Sequence, residues 1–103
     1  MVRLRSSGAF GLAVKVFFIA KIKDLNSEYK DMSKHIRELG TNHPGFISIE
    51  SEEIGDVEIT ISTWRNKADV ADWARDPEHV EAKKRAMEWY EWVRGIHVET
   101  ENE

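Results

Sequence analysis

The chain has 103 residues, of which 41% are hydrophobic and 33% charged, and it contains no cysteine. This length predicts a single domain with a modest core, and the absence of cysteine excludes disulfides, thiolate nucleophiles and cysteine-ligated metal clusters. The 15 Lys and Arg against 19 Asp and Glu leave a net charge of -4, which disfavours a nucleic-acid-binding protein because such proteins normally carry a basic excess.

The N-terminal segment 1–13 is predicted to be an extension of the domain. Ala9–Ala20 is apolar apart from Lys15, but no small-residue cleavage site follows it and it is too short to span a bilayer. We therefore expect neither a signal peptide nor a membrane segment. A cytoplasmic location is expected, since a chain without cysteine fits a reducing compartment.

A strand at Val14–Ile22 and a helix after it are the first predicted elements. β-branched and aromatic residues dominate the strand. Asp24–Ser27 offers N-cap residues, and Gly40 is expected just beyond the C-cap. Between them, apolar residues recur at the spacing of one helix face: Tyr29, Met32, Ile36 and Leu39.

A β-hairpin is predicted next, with strands at Phe46–Ile54 and Val57–Trp64 joined by Gly55-Asp56. Both strands alternate apolar and polar residues. Their acidic residues can be read as a solvated face or a polar lining, or alternatively as a general acid/base pair: Glu50, Glu52, Glu53 and Glu58.

Two helical segments and a last strand complete the predicted domain, which spans 14–99. Asn66 is the expected cap of the first segment, which places Val70 and Trp73 on one face. Asp76-Pro77 predicts a restart, with aspartate as N-cap and proline in the first helical position, and this segment is expected to reach about Tyr90. Trp92–Val98 alternates as a strand does, and residues 100–103 are read as an acidic tail.

The predicted order is β-α-β-β-α-β, which is an α+β fold of the ferredoxin-like type. Its antiparallel sheet carries helices on one face only. The other face also contains Val, Ile and Phe, and apolar surface in water costs roughly 25 cal/mol for each Å². We therefore expect a partner on that face, namely a second copy in a two-fold homodimer.

A series of short segments along the chain resembles the antibiotic biosynthesis monooxygenase superfamily of dimeric α+β barrels. The resemblance runs from Val14 to Glu99 and follows the predicted order of elements. It rests on these segments: Pro44-Gly45-Phe46, Glu50-Ser51, Ile59–Trp64, Ala71-Asp72-Trp73, Glu78-His79 and Trp89-Tyr90. The resemblance implies two ferredoxin-like chains joined through their sheets, with a cavity between each sheet and its helices.

The activity that the resemblance implies first is oxidation of a small aromatic or quinol-like substrate with O₂, with no cofactor required. Members of this kind orient a phenol and stabilise its anion in an apolar pocket. The candidate catalytic or pocket residues in the corresponding part of this chain are Trp64, Asn66, Trp73, Arg85 and Tyr90.

Haem binding and degradation is the alternative activity within the same superfamily. Haem-degrading members use a strand asparagine, a helical tryptophan and a histidine that ligates iron. Trp73 matches the tryptophan, whereas Lys83 occupies the position of the ligand and His79 lies one turn earlier, on the same side of a helix. No asparagine stands between Val14 and Lys23.

Each candidate residue also has a purely structural interpretation. Trp64 and Trp73 can be core residues, and His79 can be a solvent-exposed histidine at a helix start. If these tryptophans fill the cavity themselves, the protein is a non-catalytic dimer that binds ligands or serves in a stress response. No two histidines have the spacing of a metal pair, so no metal site is expected.

Overall fold

The computed structural model describes residues 12–101, which form four strands and four helices. Their order is β1 (Leu12–Ile22), α1 (Ser27–Thr41), β2 (Phe46–Ile54), β3 (Val57–Trp64), α2 (Lys67–Ala74), α3 (Pro77–Lys84), α4 (Ala86–Trp89) and β4 (Tyr90–Glu101). The strands form one sheet in the order β2-β3-β1-β4, and every neighbouring pair is antiparallel. The predicted ferredoxin-like α+β fold is therefore confirmed.

Side-chain caps start three of the helices where the sequence predicts them. Asn26 Oδ1 accepts a 2.9 Å hydrogen bond from the Tyr29 amide, and Asn66 Oδ1 accepts one of 2.9 Å from the Asp69 amide. Asp76 accepts bonds from two amides of the first turn of α3, with Pro77 in the first helical position. Each cap satisfies amides that have no partner within their own helix.

The predicted end of the first helix at Gly40 is wrong. The helix continues to Thr41 with Asn42 as its C-cap, and Gly40 is a buried residue inside it. A Cβ atom at Gly40 would lie 3.2 Å from Cζ2 of Trp73. The glycine is therefore explained by close packing between α1 and α2, and not by helix termination.

The predicted continuation of the second helical segment to Tyr90 is also wrong. α3 ends at Lys84, the short α4 ends at Trp89, and Tyr90 is the first residue of β4. Both aromatic residues are buried, with 3% of Trp89 and 4% of Tyr90 exposed. Their burial against the sheet overrides the helical pattern that precedes them.

The first and last strands extend beyond their predicted bounds. β1 begins at Leu12 and not at Val14, and β4 runs from Tyr90 to Glu101, so it is longer than the predicted Trp92–Val98. Leu12 pairs with Glu101 and Ala13 pairs with Thr100, which draws part of the expected extension and part of the expected tail into the sheet. The rest of both segments, 1–11 and 102–103, lies outside the described residues.

The register of β3 gives the two sheet faces an unusual distribution of side chains. Side chains of residues that pair across a ladder lie on the same face of the sheet. On β1, the residues that face the helices are Val14, Val16, Phe18 and Ala20, so their partners on β3 face the helices too. On β3 these are Trp64, Ser62, Thr60 and Glu58. The apolar residues of β3 lie on the opposite face, which has no helix: Val57, Ile59 and Ile61.

The helix-free face of the sheet, here called the open face, is largely apolar. Phe17 and Ile19 of β1 lie at its centre beside the isoleucines of β3. Its outer residues are exposed, with 48% of Ile96 and 41% of Val98 accessible to solvent. A contiguous apolar face of this kind is characteristic of an interaction surface.

The core between sheet and helices consists of two separate clusters. One contains Val14, Trp64 and Val70, and the other contains Ala20, Trp89 and Tyr90. They lie at opposite ends of the helix-covered side. None of the helices in residues 12–101 has the length and apolar character needed to cross a membrane.

Candidate functional site

The helix-covered side of the sheet carries two groups of chemically capable side chains. We call Trp64, Trp73 and His79 the tryptophan–histidine stack, and Tyr29, Glu58 and Tyr90 the tyrosine–glutamate cluster. Glu58 and Trp64 lie on the same strand, and the six steps between them amount to about 20 Å at the usual rise of a strand. The two groups are therefore separate sites.

The tryptophan–histidine stack leads from the core towards the surface. The ring centroids of Trp64 and Trp73 are 6.0 Å apart with 22° between their planes, and those of Trp73 and His79 are 4.3 Å apart with 15°. Trp64 is buried, whereas Trp73 and His79 are half-buried. Trp64 Nε1 donates a 2.8 Å hydrogen bond to Ser62 Oγ, which holds the innermost ring in place.

The hydrogen bonding of His79 determines which of its nitrogens is available. Its Nδ1 lies 3.1 Å from the carbonyl oxygen of Trp73, and since a carbonyl only accepts, Nδ1 carries the hydrogen. The lone pair of the neutral ring is then on Nε2, for which the part of the chain described here provides no hydrogen-bond partner. Burial lowers the pKa of His79, and the charge of Lys83 acts in the same direction. His79 is therefore a neutral imidazole at pH 7.

His43 borders the stack and is engaged at both ring nitrogens. The Gly45 amide donates a 2.9 Å bond to His43 Nδ1, so Nε2 carries the hydrogen and donates it to Asp72 Oδ2 at 2.8 Å. The ring also packs edge-on against Trp64, with 5.4 Å between centroids. The sequence predicts only that His43 lies in a turn. The one local signal for its hydrogen bonding is the Pro44-Gly45 pair, because this turn brings the Gly45 amide back to the His43 ring.

An open depression adjoins the stack at the surface. Its volume is about 220 Å³, and it is lined by His43, Asp72, Trp73, Arg75, Asp76 and Pro77. Two of these residues, Arg75 and Asp76, lie between α2 and α3, and Pro77 is the first residue of α3. The depression is where a ligand from solvent can reach the edge of Trp73.

Three of the predicted site residues lie away from the stack or have structural partners. The side chain of Asn66 caps α2. Arg85 binds Glu88 at 2.9 Å and Glu28 at 3.3 Å, and its guanidinium lies over the ring of Trp89, 4.9 Å from the centroid. Tyr90 belongs to the tyrosine–glutamate cluster. The structure thus brings together Trp64, Trp73 and His79 and separates them from Arg85 and Tyr90.

The tyrosine–glutamate cluster is built around one carboxylate. Tyr90 donates a hydrogen bond to Glu58 Oε1 at 2.8 Å and Tyr29 donates to the same oxygen at 3.1 Å, while Thr60 donates to Oε2 at 3.1 Å. Burial raises the pKa of both tyrosines, so that their hydroxyls stay protonated and act as donors. The rings of Phe18 and Tyr90 pack edge to face, 5.5 Å apart.

A chain of hydroxyl groups continues from this cluster to the surface. Thr60 Oγ1 and Ser51 Oγ are 2.8 Å apart, and Arg37 Nη2 donates to Ser51 Oγ at 3.1 Å. Arg37 is exposed on α1. The sequence predicted Glu58 as one of several acidic hairpin residues, but only the tertiary structure reveals its tyrosine partners, which come from α1 and β4.

Of the other acidic residues of the hairpin, Glu53 lies opposite Glu58 in the ladder, whereas Glu50 and Glu52 lie on the open face. Glu50, Glu52 and Glu53 are all exposed on β2. Within residues 12–101, no three histidine or carboxylate side chains converge in the way that a metal site requires.

Comparisons with known proteins identify relatives in fold. No family model matches the chain, and no curated protein has a matching sequence. Among solved structures, a conserved protein from Methanosarcina mazei matches with a TM-score of 0.78 at 14% identity, over 87% of this chain and 94% of that one.

Two further solved structures carry functional descriptions. A variant of SnoaB, described as a cofactor-independent oxygenase from Streptomyces nogalater, matches with a TM-score of 0.73 at 9% identity, over 84% of this chain and 90% of that one. A Nitrosomonas europaea protein provisionally assigned as an antibiotic biosynthesis monooxygenase matches with a TM-score of 0.69 at 12% identity, over 85% and 88%. At these identities the likeness establishes a shared fold, since one fold hosts many functions.

Proposed function

We propose that the protein oxidises a small aromatic or quinol-like substrate with O₂ at the tryptophan–histidine stack, without a cofactor. The observation that carries this proposal is the neutral imidazole of His79, which is stacked on Trp73 and whose Nε2 has no hydrogen-bond partner within residues 12–101. A neutral base beside an aromatic surface is what deprotonation of a bound phenol or enol requires. The description of SnoaB as a cofactor-independent oxygenase supports the same reaction class.

The proposed reaction needs no external reductant. For an anthrone-like substrate, Nε2 of His79 accepts the proton of the enol, and the resulting anion transfers an electron to O₂ and combines with it at carbon. The peroxide anion then takes the proton back from His79, which gives a hydroperoxide and restores the neutral imidazole. The hydroperoxide then loses water, so that a CH₂ group and O₂ become a C=O group and H₂O. All four electrons come from the substrate, and the indole of Trp73 provides an apolar surface that excludes water from the anion.

Oxygen uptake by the purified protein tests this function. We expect uptake above blank with at least one member of a panel of anthrones and hydroquinones, and a loss of roughly 100-fold or more in His79→Phe, which keeps an aromatic ring but removes the base. His97→Phe is the matched control, because His97 is an exposed histidine on β4. No uptake with wild-type protein across the panel would contradict the proposal.

We infer that a second copy of the chain covers the open face. Support comes from the exposed apolar side chains of that face and from its charges, since Arg94 lies on the β4 side and Glu50 and Glu52 lie on the β2 side. A two-fold axis parallel to the strands places β2 of one copy opposite β4 of the other. This arrangement pairs the acidic edge with the basic edge.

Haem binding is the second candidate, and one observation favours it. The Nδ1 bond to the Trp73 carbonyl leaves Nε2 as the donor atom, in the manner of histidines that ligate metals. The space is less suitable, because the adjoining depression of about 220 Å³ is below the roughly 300–1,000 Å³ of typical ligand pockets. A haem titration followed by visible absorption decides the question, since saturable binding that His79→Ala abolishes would favour haem over cofactor-free oxidation.

A non-catalytic ligand-binding protein is the remaining alternative. The burial of Trp64 supports it, because this indole occupies interior space that a substrate would otherwise take. Absence of both oxygen uptake and haem binding would favour this alternative.

A further inference from the structure

We propose that Asp72 and Arg75 hold a hydroxyl group of the substrate in the depression beside the tryptophan–histidine stack. The inference rests on the proposed function, because it adds a second point of attachment for the same substrate. It also narrows the substrate class to a single aromatic ring with two hydroxyl groups. One hydroxyl group meets His79, and the other meets this pair.

Asp72 and Arg75 present an acceptor and a donor side by side. Nη2 of Arg75 lies 3.9 Å from Oδ1 of Asp72, which is too far for a hydrogen bond. Within residues 12–101, neither Asp72 Oδ1 nor the guanidinium of Arg75 forms a hydrogen bond. One oxygen atom can lie about 2.8 Å from both atoms at once, so the gap fits a group that accepts from Arg75 and donates to Asp72.

Both residues of this pair are exposed and line the depression. Trp73 and Pro77 add apolar surface to the same lining. The volume of about 220 Å³ is below the roughly 300–1,000 Å³ of typical ligand pockets, so a single ring suits it better than several fused rings. Because His79 stacks on Trp73, a ligand that fills the depression lies next to the stack.

His43 fixes the orientation of the Asp72 carboxylate. Its Nε2–H donates to Asp72 Oδ2 at 2.8 Å, while the Gly45 amide donates to its Nδ1 at 2.9 Å. Only 12% of the His43 side chain is exposed, and its ring packs against Trp64. Oδ2 is thereby occupied and Oδ1 is left for a ligand. A carboxylate held in this way loses less entropy on binding than a freely rotating one.

The charges around the depression favour a neutral hydroxyl group over an anion or a cation. Asp72 and Asp76 contribute carboxylates and Arg75 contributes a guanidinium. An anionic ligand would satisfy Arg75 but would face both carboxylates. A cationic ligand would satisfy Asp72 but would face Arg75 and leave it without an acceptor. A hydroxyl group is at once a donor and an acceptor, so it satisfies both members of the pair.

A second ion pair of the same spacing serves as a matched control. Glu81 and Lys84 are also three positions apart, exposed, and 3.9 Å from each other. They belong to α3 and do not line the depression. Glu81→Gln therefore removes the same charge as Asp72→Asn but leaves the proposed site intact.

Binding is measured by calorimetry without oxygen, so that the ligand is not consumed. The probes are hydroquinone, its dimethyl ether 1,4-dimethoxybenzene, and the anion 4-hydroxybenzoate. We expect hydroquinone to bind saturably and the dimethyl ether to bind at least roughly tenfold more weakly, because it has no hydrogen to donate to Asp72. We expect 4-hydroxybenzoate to bind more weakly than hydroquinone.

Three variants test the pair itself. Asp72→Asn should weaken hydroquinone binding roughly tenfold, the effect of one hydrogen bond to a charged group, and should not weaken binding of the dimethyl ether. Arg75→Gln should weaken both ligands, because both offer an oxygen that accepts from Arg75. Glu81→Gln should change neither. A merely structural role of Asp72 would weaken both ligands alike.

Oxygen uptake with hydroquinone adds a kinetic readout. The reaction gives quinone, and O₂ takes the two electrons and two protons and becomes H₂O₂. Asp72→Asn should raise KM roughly tenfold and leave kcat unchanged, because the pair holds the substrate away from the reacting hydroxyl group.

Several outcomes would overturn the proposal. They are no saturable binding of hydroquinone, equal affinity for hydroquinone and its dimethyl ether, unchanged hydroquinone affinity in Asp72→Asn, or tightest binding of 4-hydroxybenzoate, which would make this an anion site. Normal hydroquinone binding that depends on Asp72, without oxygen uptake, would contradict the proposed oxidation and leave the binding pair in place. The two failures are thus distinguishable.

Discussion

The indole of Trp73 and the imidazole of His79 stack nearly parallel, with 4.3 Å between their centroids and 15° between their planes. This contact joins α2 to α3 and buries most of one face of the histidine. Because burial disfavours a charged imidazole, the same contact that packs the helices also keeps His79 neutral. Packing and chemistry are therefore coupled at this pair.

Acidification should destabilise the fold through His79. Its pKa is lowered in the folded protein, so the unfolded chain binds the proton more readily and stability is lost as the pH falls below the unfolded pKa of about 6.5. The loss is complete once the pH is below the folded pKa. Urea unfolding at pH 8 and pH 5 measures it, and we expect a smaller difference between these pH values in His79→Phe. An equal difference in both proteins would contradict the assignment.

Gly40→Ala should lower the free energy of unfolding by about 1 kcal/mol, although alanine favours helices. The new Cβ would lie 3.2 Å from Trp73, whose indole is held between two other rings and has little room to move. The overpacking cost of roughly 1–3 kcal/mol exceeds the helix-propensity gain of about 1 kcal/mol. Chemical denaturation measures the difference. In a Trp73→Leu background the same change should be neutral or stabilising, and equal destabilisation in both backgrounds would contradict this explanation.

Ile96→Glu should prevent the proposed dimer from forming. The substitution places a charge on the open face, where burial against a second copy would leave that charge without a partner. Sedimentation velocity reads out the assembly. Met87→Glu is the control, because Met87 is equally exposed but belongs to α4 on the other side of the sheet. A monomeric wild-type protein would remove the inferred dimer altogether.

Tyr90→Phe should destabilise the protein by about 1.5–3 kcal/mol, the range for hydrogen bonds to charged groups. Its hydroxyl donates to Glu58 from a buried position, so no water replaces the lost bond easily. Tyr29→Phe should cost less, because Tyr29 is half-buried and solvent can substitute for its hydroxyl. Denaturation of both variants under the same conditions tests the order, and a larger cost for Tyr29→Phe would reverse it.

Local sequence patterns predict the hairpin and the helix starts of this protein. Alternating residues delimit β2 and β3 correctly, and Gly55 adopts a positive φ of 64° in the turn between them. Asn66 and Asp76-Pro77 cap the helices that follow them. These features depend on residues within a few positions of one another, so the local sequence is enough to predict them.

The sequence also identifies Trp64, Trp73 and His79 as candidates, but not their mutual stacking. It groups Arg85 and Tyr90 with them, whereas the structure places Arg85 against Glu28 and Glu88 and Tyr90 against Glu58. His43 is absent from the predicted set. Its partners Asp72 and Trp64 are distant in the chain, and no local pattern records such contacts.

The amino-acid sequence by itself determined the order of elements, the hairpin and the caps, because propensity, periodicity and capping act over one or two turns of chain. Only the tertiary structure decided that Gly40 lies inside a helix, that Tyr90 begins a strand, and that Glu58 meets Tyr29 from α1. It also decided that β3 turns its polar side towards the helices. These outcomes depend on strand register and on burial against distant elements, where the free energy gained by packing exceeds the weak preferences of individual residues.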